Sequence, residues 1–171
     1  MKRPLQAAAA NPQPQRADAS RRRFAAALGL LPLASWAQSA PRTQLPAAVA
    51  LADELASALA KKQPLLVMAS LDGCIYCHMA RQQHLLPMAA RGQTIVQVDW
   101  RSDRVLRDFA GATVTHHQMI ERWGLTVAPT LLFFGPGGRE VAERMVGGYL
   151  PDFYGAYLDG RLDTARSQIA R

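Results

Sequence analysis

Gly73-Cys74-Ile75-Tyr76-Cys77-His78 contains both cysteines of the 171-residue chain and sets them two residues apart. Two thiols at that spacing, at the start of a helix, can close and reopen a small disulfide, because the amides of the first turn stabilise an ionised sulfur. The same residues also spell C-x-x-C-H, the attachment pattern of a c-type haem, with Cys74, Cys77 and His78 in place. Nothing inside the motif separates these two chemistries, so the flanking segments have to.

Upstream, Leu65 to Leu71 (LLVMASL) is a short continuous apolar run that predicts a buried central strand with both faces covered, left through a turn at Asp72-Gly73. From Cys74 to about Ala90 the residues favour helix, with Met79, Leu85 and Met88 turned inward and a kink at Pro87. Thr94 to Trp100 (TIVQVDW) alternates as a second strand, and Arg101 to Ala112 reads as a polar, partly helical connection. Thr113 or Thr115 caps a helix that runs to Trp123-Gly124. Val127-Ala128-Pro129-Thr130 then enters a strand at Leu131 to Gly135. Pro136-Gly137-Gly138 turns it into a hairpin whose second arm spans Glu140 to Val146. Val49, Leu51, Leu55 and Leu59 mark an amphipathic helix before the motif, ending at Lys61-Lys62; Phe153, Tyr157 and Leu158 mark a final one.

The net charge of +7 suggests a nucleic-acid partner until the charges are located. Residues 1–37 carry six basic groups and one acid, which leaves 14 basic against 12 acidic in the remainder. That near-balance excludes a basic stripe on the folded domain, and nucleic acid with it. Phe24 to Trp36 is an uncharged run of thirteen residues, short of the ~20 that span a bilayer as a helix, so it reads as a cleaved signal peptide rather than a permanent anchor. Ser35 and Ala37 place the cut after Ala37. Ser20-Arg21-Arg22-Arg23-Phe24 is similar to the twin-arginine export signal. The expected organisation is therefore a signal peptide over 1–37, a linker over 38–46 and one domain over 47–171, located in the periplasm, where a cysteine pair can persist as a disulfide.

A CxxC between a buried strand and a helix, followed by VAPTLLFF and a glycine-rich hairpin, resembles the thioredoxin family over roughly Ala47 to Leu162. The resemblance implies an α/β fold, a central mixed sheet flanked by helices in one compact domain, and thiol–disulfide oxidoreductase activity. It makes Cys74 the exposed nucleophile, Cys77 the resolving thiol and Pro129 a cis-proline beside them. Ala128 and Thr130 flank that proline and align the substrate chain. GCIYC, with GGYLPDFYGAYL near the C-terminus, is similar to the small exported thioredoxins of sulfur-oxidation operons, the SoxS and SoxW types. The resemblance also implies disulfide-bearing protein substrates and a membrane thiol transporter of the DsbD or CcdA kind as electron donor. A reductant is expected ahead of an oxidase or isomerase of the same fold. The sequence departs from thioredoxin at Gly73, at Ile75-Tyr76 between the cysteines, and at Met68, where cytoplasmic thioredoxins keep a buried Asp. His78 and Tyr76 are candidates for tuning the pair.

Three other readings compete. A c-type haem carrier would use Cys74, Cys77 and His78 with Met79, Met88 or Met119 as second axial ligand, but strand-like segments surround the motif and small c-type cytochromes are helical. Metal binding is not expected: two Cys and an adjacent His are too crowded for a closed tetrahedral site, and His84, His116 and His117 read as surface or satisfied residues. A non-catalytic module would hold peptides in the groove at Pro129 and leave the cysteines incidental. The only expected redox group is the Cys74-Cys77 disulfide itself, without a further cofactor.

Overall fold

The computed structural model describes residues 43–147 and 151–171. The expected signal peptide, its cut after Ala37 and most of the linker lie outside the described residues. In chain order the elements are α1 (Leu51–Ala60), β1 (Leu65–Ser70), α2 (Ile75–Ala80), α3 (Leu86–Ala90), β2 (Ile95–Asp99), β3 (Val105–Arg107), β4 (Thr113–Thr115), α4 (His116–Arg122), β5 (Thr130–Gly135), β6 (Arg139–Glu140), β7 (Met145–Val146) and α5 (Pro151–Ile169).

β1 is buried along its whole length, as a strand covered on both faces must be. It pairs parallel with β2, from Leu66 opposite Ile95 to Ser70 opposite Asp99, and antiparallel with β5, from Leu65 opposite Phe134 to Ala69 opposite Thr130. β6 and β7 both pair with the far edge of β5. Side chains alternate across a strand, so the sheet divides the core in two. Leu65, Val67, Ala69, Leu132 and Phe134 meet Leu51, Leu55 and Ala58 of α1 and Met119 and Ile120 of α4. Leu66, Met68, Leu131 and Phe133 meet Cys77, Ala80, Leu85 and Met88 from the segment after the motif, and Tyr154, Leu158, Leu162 and Ala165 of α5. A central mixed sheet between two helical layers is the thioredoxin fold that the sequence led us to expect. Each large apolar side chain it hides contributes about 1.5–3 kcal/mol.

Several segments differ from expectation. Arg101 to Ala112 is not helical: Val105–Arg107 forms β3, which pairs antiparallel with β4 through Leu106 opposite Val114. Asp108 decides this locally, because its Oδ1 accepts the amides of Ala110 and Ala112, each at 2.9 Å, and turns the chain back. Thr115 rather than Thr113 caps α4. The kink near Pro87 falls earlier, as a π-helical turn at Arg81–Leu85. Pro87 has no N–H for an i→i−4 bond, and the Leu86 amide donates to the Arg81 carbonyl instead. The second hairpin arm is broken into β6 and β7. Val49 is 65% exposed and precedes α1, while Phe153 and Tyr157 lie on the solvent side of α5, whose buried stripe is Tyr154, Leu158, Leu162 and Ala165. Leu45 and Pro46, assigned to the linker from sequence, are part of the packed domain. Leu45 is buried, and the Pro46 carbonyl accepts the Gln97 amide at 2.8 Å, covering the outer edge of β2.

Candidate redox site

β1 delivers the chain to the motif. Beyond its end the Asp72 carboxylate accepts the Gly73 amide at 3.0 Å, and Gly73 takes a φ of 71°, a left-handed conformation that favours glycine. Cys74 follows as N-cap of α2, and its Sγ accepts the Cys77 amide at 3.1 Å. Cys74 and Cys77 are joined as a disulfide with their Cα atoms 5.2 Å apart. The two sulfurs differ in access: Cys77 is 1% exposed among Met68, Ala80 and Leu131, whereas Cys74 is half-buried at the surface.

The loop before β5 faces this pair. The Ala128–Pro129 bond is cis, and the Ala128 carbonyl oxygen lies 4.0 Å from Cys74 Sγ. Thr130 turns inward, its hydroxyl donating to the Val127 carbonyl at 2.7 Å, and the Gly147 amide donates to the Pro129 carbonyl at 2.8 Å. The structure thus brings the Cys74-Cys77 segment and the Ala128-Pro129-Thr130 segment together from more than fifty residues apart in sequence. Ile75 and Tyr76 are exposed at the start of α2, and Val127 and Val146 are exposed beside the proline loop.

On the other side of Cys74, toward β2, lies a polar surface cavity of about 660 Å³ whose walls include Ser70, Asp72, His78, Arg81, Gln97, Asp99 and Arg101. Arg81 is only 8% exposed; its Nη2 donates to Ser70 Oγ at 2.8 Å and its Nε to Gln97 Oε1 at 2.9 Å. Burial pulls this guanidinium below its ordinary value, and the charge of Asp99 opposes the shift. Gln97 passes the network on, donating to Asp99 Oδ1 at 2.5 Å. Sequence reasoning did not single out Arg81. The available signal was its place four residues after Cys77, on the face that Cys77 turns to the core. Met68 is fully buried against Cys77, so that position offers the sulfur no proton acceptor.

The histidines go to separate places. His78 is exposed at the cavity wall, and His84 stacks near Tyr154 at 5.0 Å between ring centres. His116 is fully buried, accepting the Asp99 amide at Nδ1 while Nε2 sits 3.0 Å from the Ala48 carbonyl. His117 points to Glu121 at 3.5 Å. Met119 lies in the α1/α4 layer, across the sheet from Cys77.

A family model described as a thioredoxin-like domain matches residues 51–160. The chain belongs to the thioredoxin-like family. Its match to the family covers the motif, the proline loop and the start of α5, and with a CxxC pair closed as a disulfide this thioredoxin-like protein is a thiol–disulfide oxidoreductase. Among solved structures it is similar to the DsbH oxidoreductase, at 16% identity over 74% of this chain and 92% of that one, with a TM-score of 0.49. It is also similar to Trxlp from Edwardsiella tarda EIB202, at 20% identity over 65% and 98% of the two chains and a TM-score of 0.43. The periplasmic thioredoxin SoxS from Paracoccus pantotrophus matches at 20% identity over 60% and 99%, with a TM-score of 0.39. No curated protein matches the sequence.

Proposed function

We propose that this oxidoreductase acts as a reductant of protein disulfides in the periplasm, with Cys74 as nucleophile and Cys77 as resolving thiol. The observation that carries the assignment of roles is the difference between the sulfurs: Cys74 is reachable and hydrogen-bonded by the first turn of α2, while Cys77 is sealed. A thiolate at Cys74 attacks a substrate disulfide, expels one substrate thiol and leaves a mixed disulfide; Cys77 then attacks Cys74 Sγ and frees the second thiol. The substrate strand docks on the exposed Ile75, Tyr76, Val127 and Val146 and aligns along the backbone at Ala128-Pro129.

Support for a reductant comes from the poverty of donors. Among the described residues one amide, that of Cys77, reaches Cys74 Sγ, a sparse donor set on that sulfur. Strong oxidants owe their potential to a stabilised reduced form. Equilibration of the Cys74-Cys77 couple with glutathione tests the direction: a potential near about −270 mV is expected, and one near about −120 mV would make the protein an oxidase. Electrons come from a membrane thiol transporter of the DsbD or CcdA kind, the donor that the sequence resemblance implies. Among the described residues no helix is long and apolar enough to cross a membrane. N-terminal sequencing of the exported protein checks for a start at Gln38.

The exchange reading is preferred to haem attachment because His78 stands at the wall of a polar cavity and the motif lies between a strand and a helix of a thioredoxin-like domain. A Cys77→Ser variant is expected to accumulate a mixed disulfide through Cys74, visible by non-reducing electrophoresis and mass spectrometry, whereas Cys74→Ser accumulates none. Equal trapping by both variants would reverse the roles, and a Soret band in purified protein would favour haem.

A further inference from the structure

The cavity beside Cys74 is not lined by Pro129 or its neighbours, and it shares only Cys74 and Ile75 with the protein-docking surface. Its floor lies at the carboxyl ends of the parallel strands β1 and β2, where α/β sheets leave a crevice. At about 660 Å³ it falls among cavities that hold small molecules, which run to roughly 300–1,000 Å³.

Its charges balance in number, but among the described residues none of its arginines is directly ion-paired with one of its carboxylates. Arg81 is more than nine-tenths buried, yet its named partners are the neutral Ser70 and Gln97, and among the described residues no carboxylate lies within the 4.0 Å of an ion pair. A buried cation in this state is suited to receive a carboxylate. Arg101 lines the same cavity from a backbone held at φ 56°, a left-handed conformation costly for a residue with a Cβ. Asp72 and Asp99 supply the opposite sign on the remaining wall, so a simple anion would meet as much repulsion as attraction. A ligand carrying both an ammonium and a carboxylate satisfies both pairs.

Resting on the thiol–disulfide reading above, we propose that the cavity is a subsite for a small zwitterionic disulfide of the cystine type. The carboxylate sits on Arg81 and Arg101, the ammonium faces Asp72 and Asp99, and one sulfur meets Cys74. Cys74 thiolate displaces one amino-acid thiolate and forms a mixed disulfide. Cys77 thiolate then attacks Cys74 Sγ and displaces the second. The dithiol loses two electrons and two protons, and the two released thiols carry them away. Protein disulfides approach the same sulfur from the Pro129 side, so one nucleophile serves two substrate classes.

The test follows oxidation of the reduced protein by stopped-flow tryptophan fluorescence, with Trp100 at the cavity wall as reporter. The probes are cystine, cystamine (ammonium only), dithiodipropionate (carboxylate only) and hydroxyethyl disulfide (neither). Each rate is divided by the rate of the same probe with dithiothreitol, to remove its intrinsic reactivity. Cystine is expected to exceed each of the others by roughly tenfold, as one charge-assisted contact allows. Arg81→Gln and the exposed Arg101→Gln should each lower the ratio of cystine to hydroxyethyl disulfide, and Arg81→Lys should restore part of it. Equal corrected rates, or ratios unmoved in both Gln variants, overturn the subsite while leaving exchange at Cys74 standing. If no probe oxidises the protein, the exchange reading fails and the subsite fails with it.

Discussion

At the scale of single residues, the site is held by groups that do no chemistry. Gly147 is one: its amide anchors the Pro129 carbonyl, and its φ of 61° lies in the left-handed region. A Cβ added there would come within 2.7 Å of Val127 Cγ1. Gly147→Ala is therefore expected to cost about 1–2 kcal/mol and to loosen the loop that faces Cys74. Urea denaturation reads the first effect and the rate of exchange with a protein disulfide reads the second. Unchanged stability and rate would show that the loop is held by Thr130 alone. Met68 is a residue of the opposite kind, fully buried and apolar where the family resemblance leads one to expect a proton acceptor, so it offers Cys77 none.

At the scale of elements, α4 and the π-helical turn carry separate tests. α4 is short, and its start depends on a reciprocal cap: Thr115 Oγ1 accepts the Gln118 amide at 3.1 Å while Gln118 Oε1 accepts the Thr115 amide at 3.0 Å. Thr115→Ala should lower stability by about 1 kcal/mol in chemical denaturation without changing exchange at Cys74. The π-helical turn packs His84 against Tyr154 of α5, and burial pulls the His84 pKa below its ordinary 6.5, with Asp159 opposing. A lowered folded pKa means that the unfolded chain binds the proton more readily. The associated stability is fully present above pH 6.5 and is lost as pH falls through the lowered value. His84→Gln should flatten the fall of the denaturation midpoint below that pH. Parallel pH profiles for the two proteins would exclude His84 as the cause.

At the scale of the whole molecule, redox state and stability are one equilibrium. The disulfide joins residues only three positions apart in sequence, so closure contributes on the order of 2 kcal/mol through chain entropy. For a reductant the oxidised protein should unfold at higher denaturant concentration than the reduced one, with an unfolding free energy larger by about 2 kcal/mol. A more stable reduced protein would point to an oxidase.

The amino-acid sequence by itself determined the central strand at Leu65 and the helix that follows the motif, both of which rest on local physics: an apolar run long enough for a strand and a turn at its end. The pairing of the motif with Pro129 came only from the resemblance to the thioredoxin family. Partners distant along the chain were not legible. β3 lacks a strand signal of its own and exists because Leu106 meets Val114; the outward turn of Phe153 and Tyr157 depends on which face of α5 the sheet occupies. Arg81 was hidden for the same reason. A helix position states only a direction, and the register of β1 with β2, which sets Ser70 beside Asp99, is what turned that direction into a buried guanidinium at the wall of the Cys74 cavity.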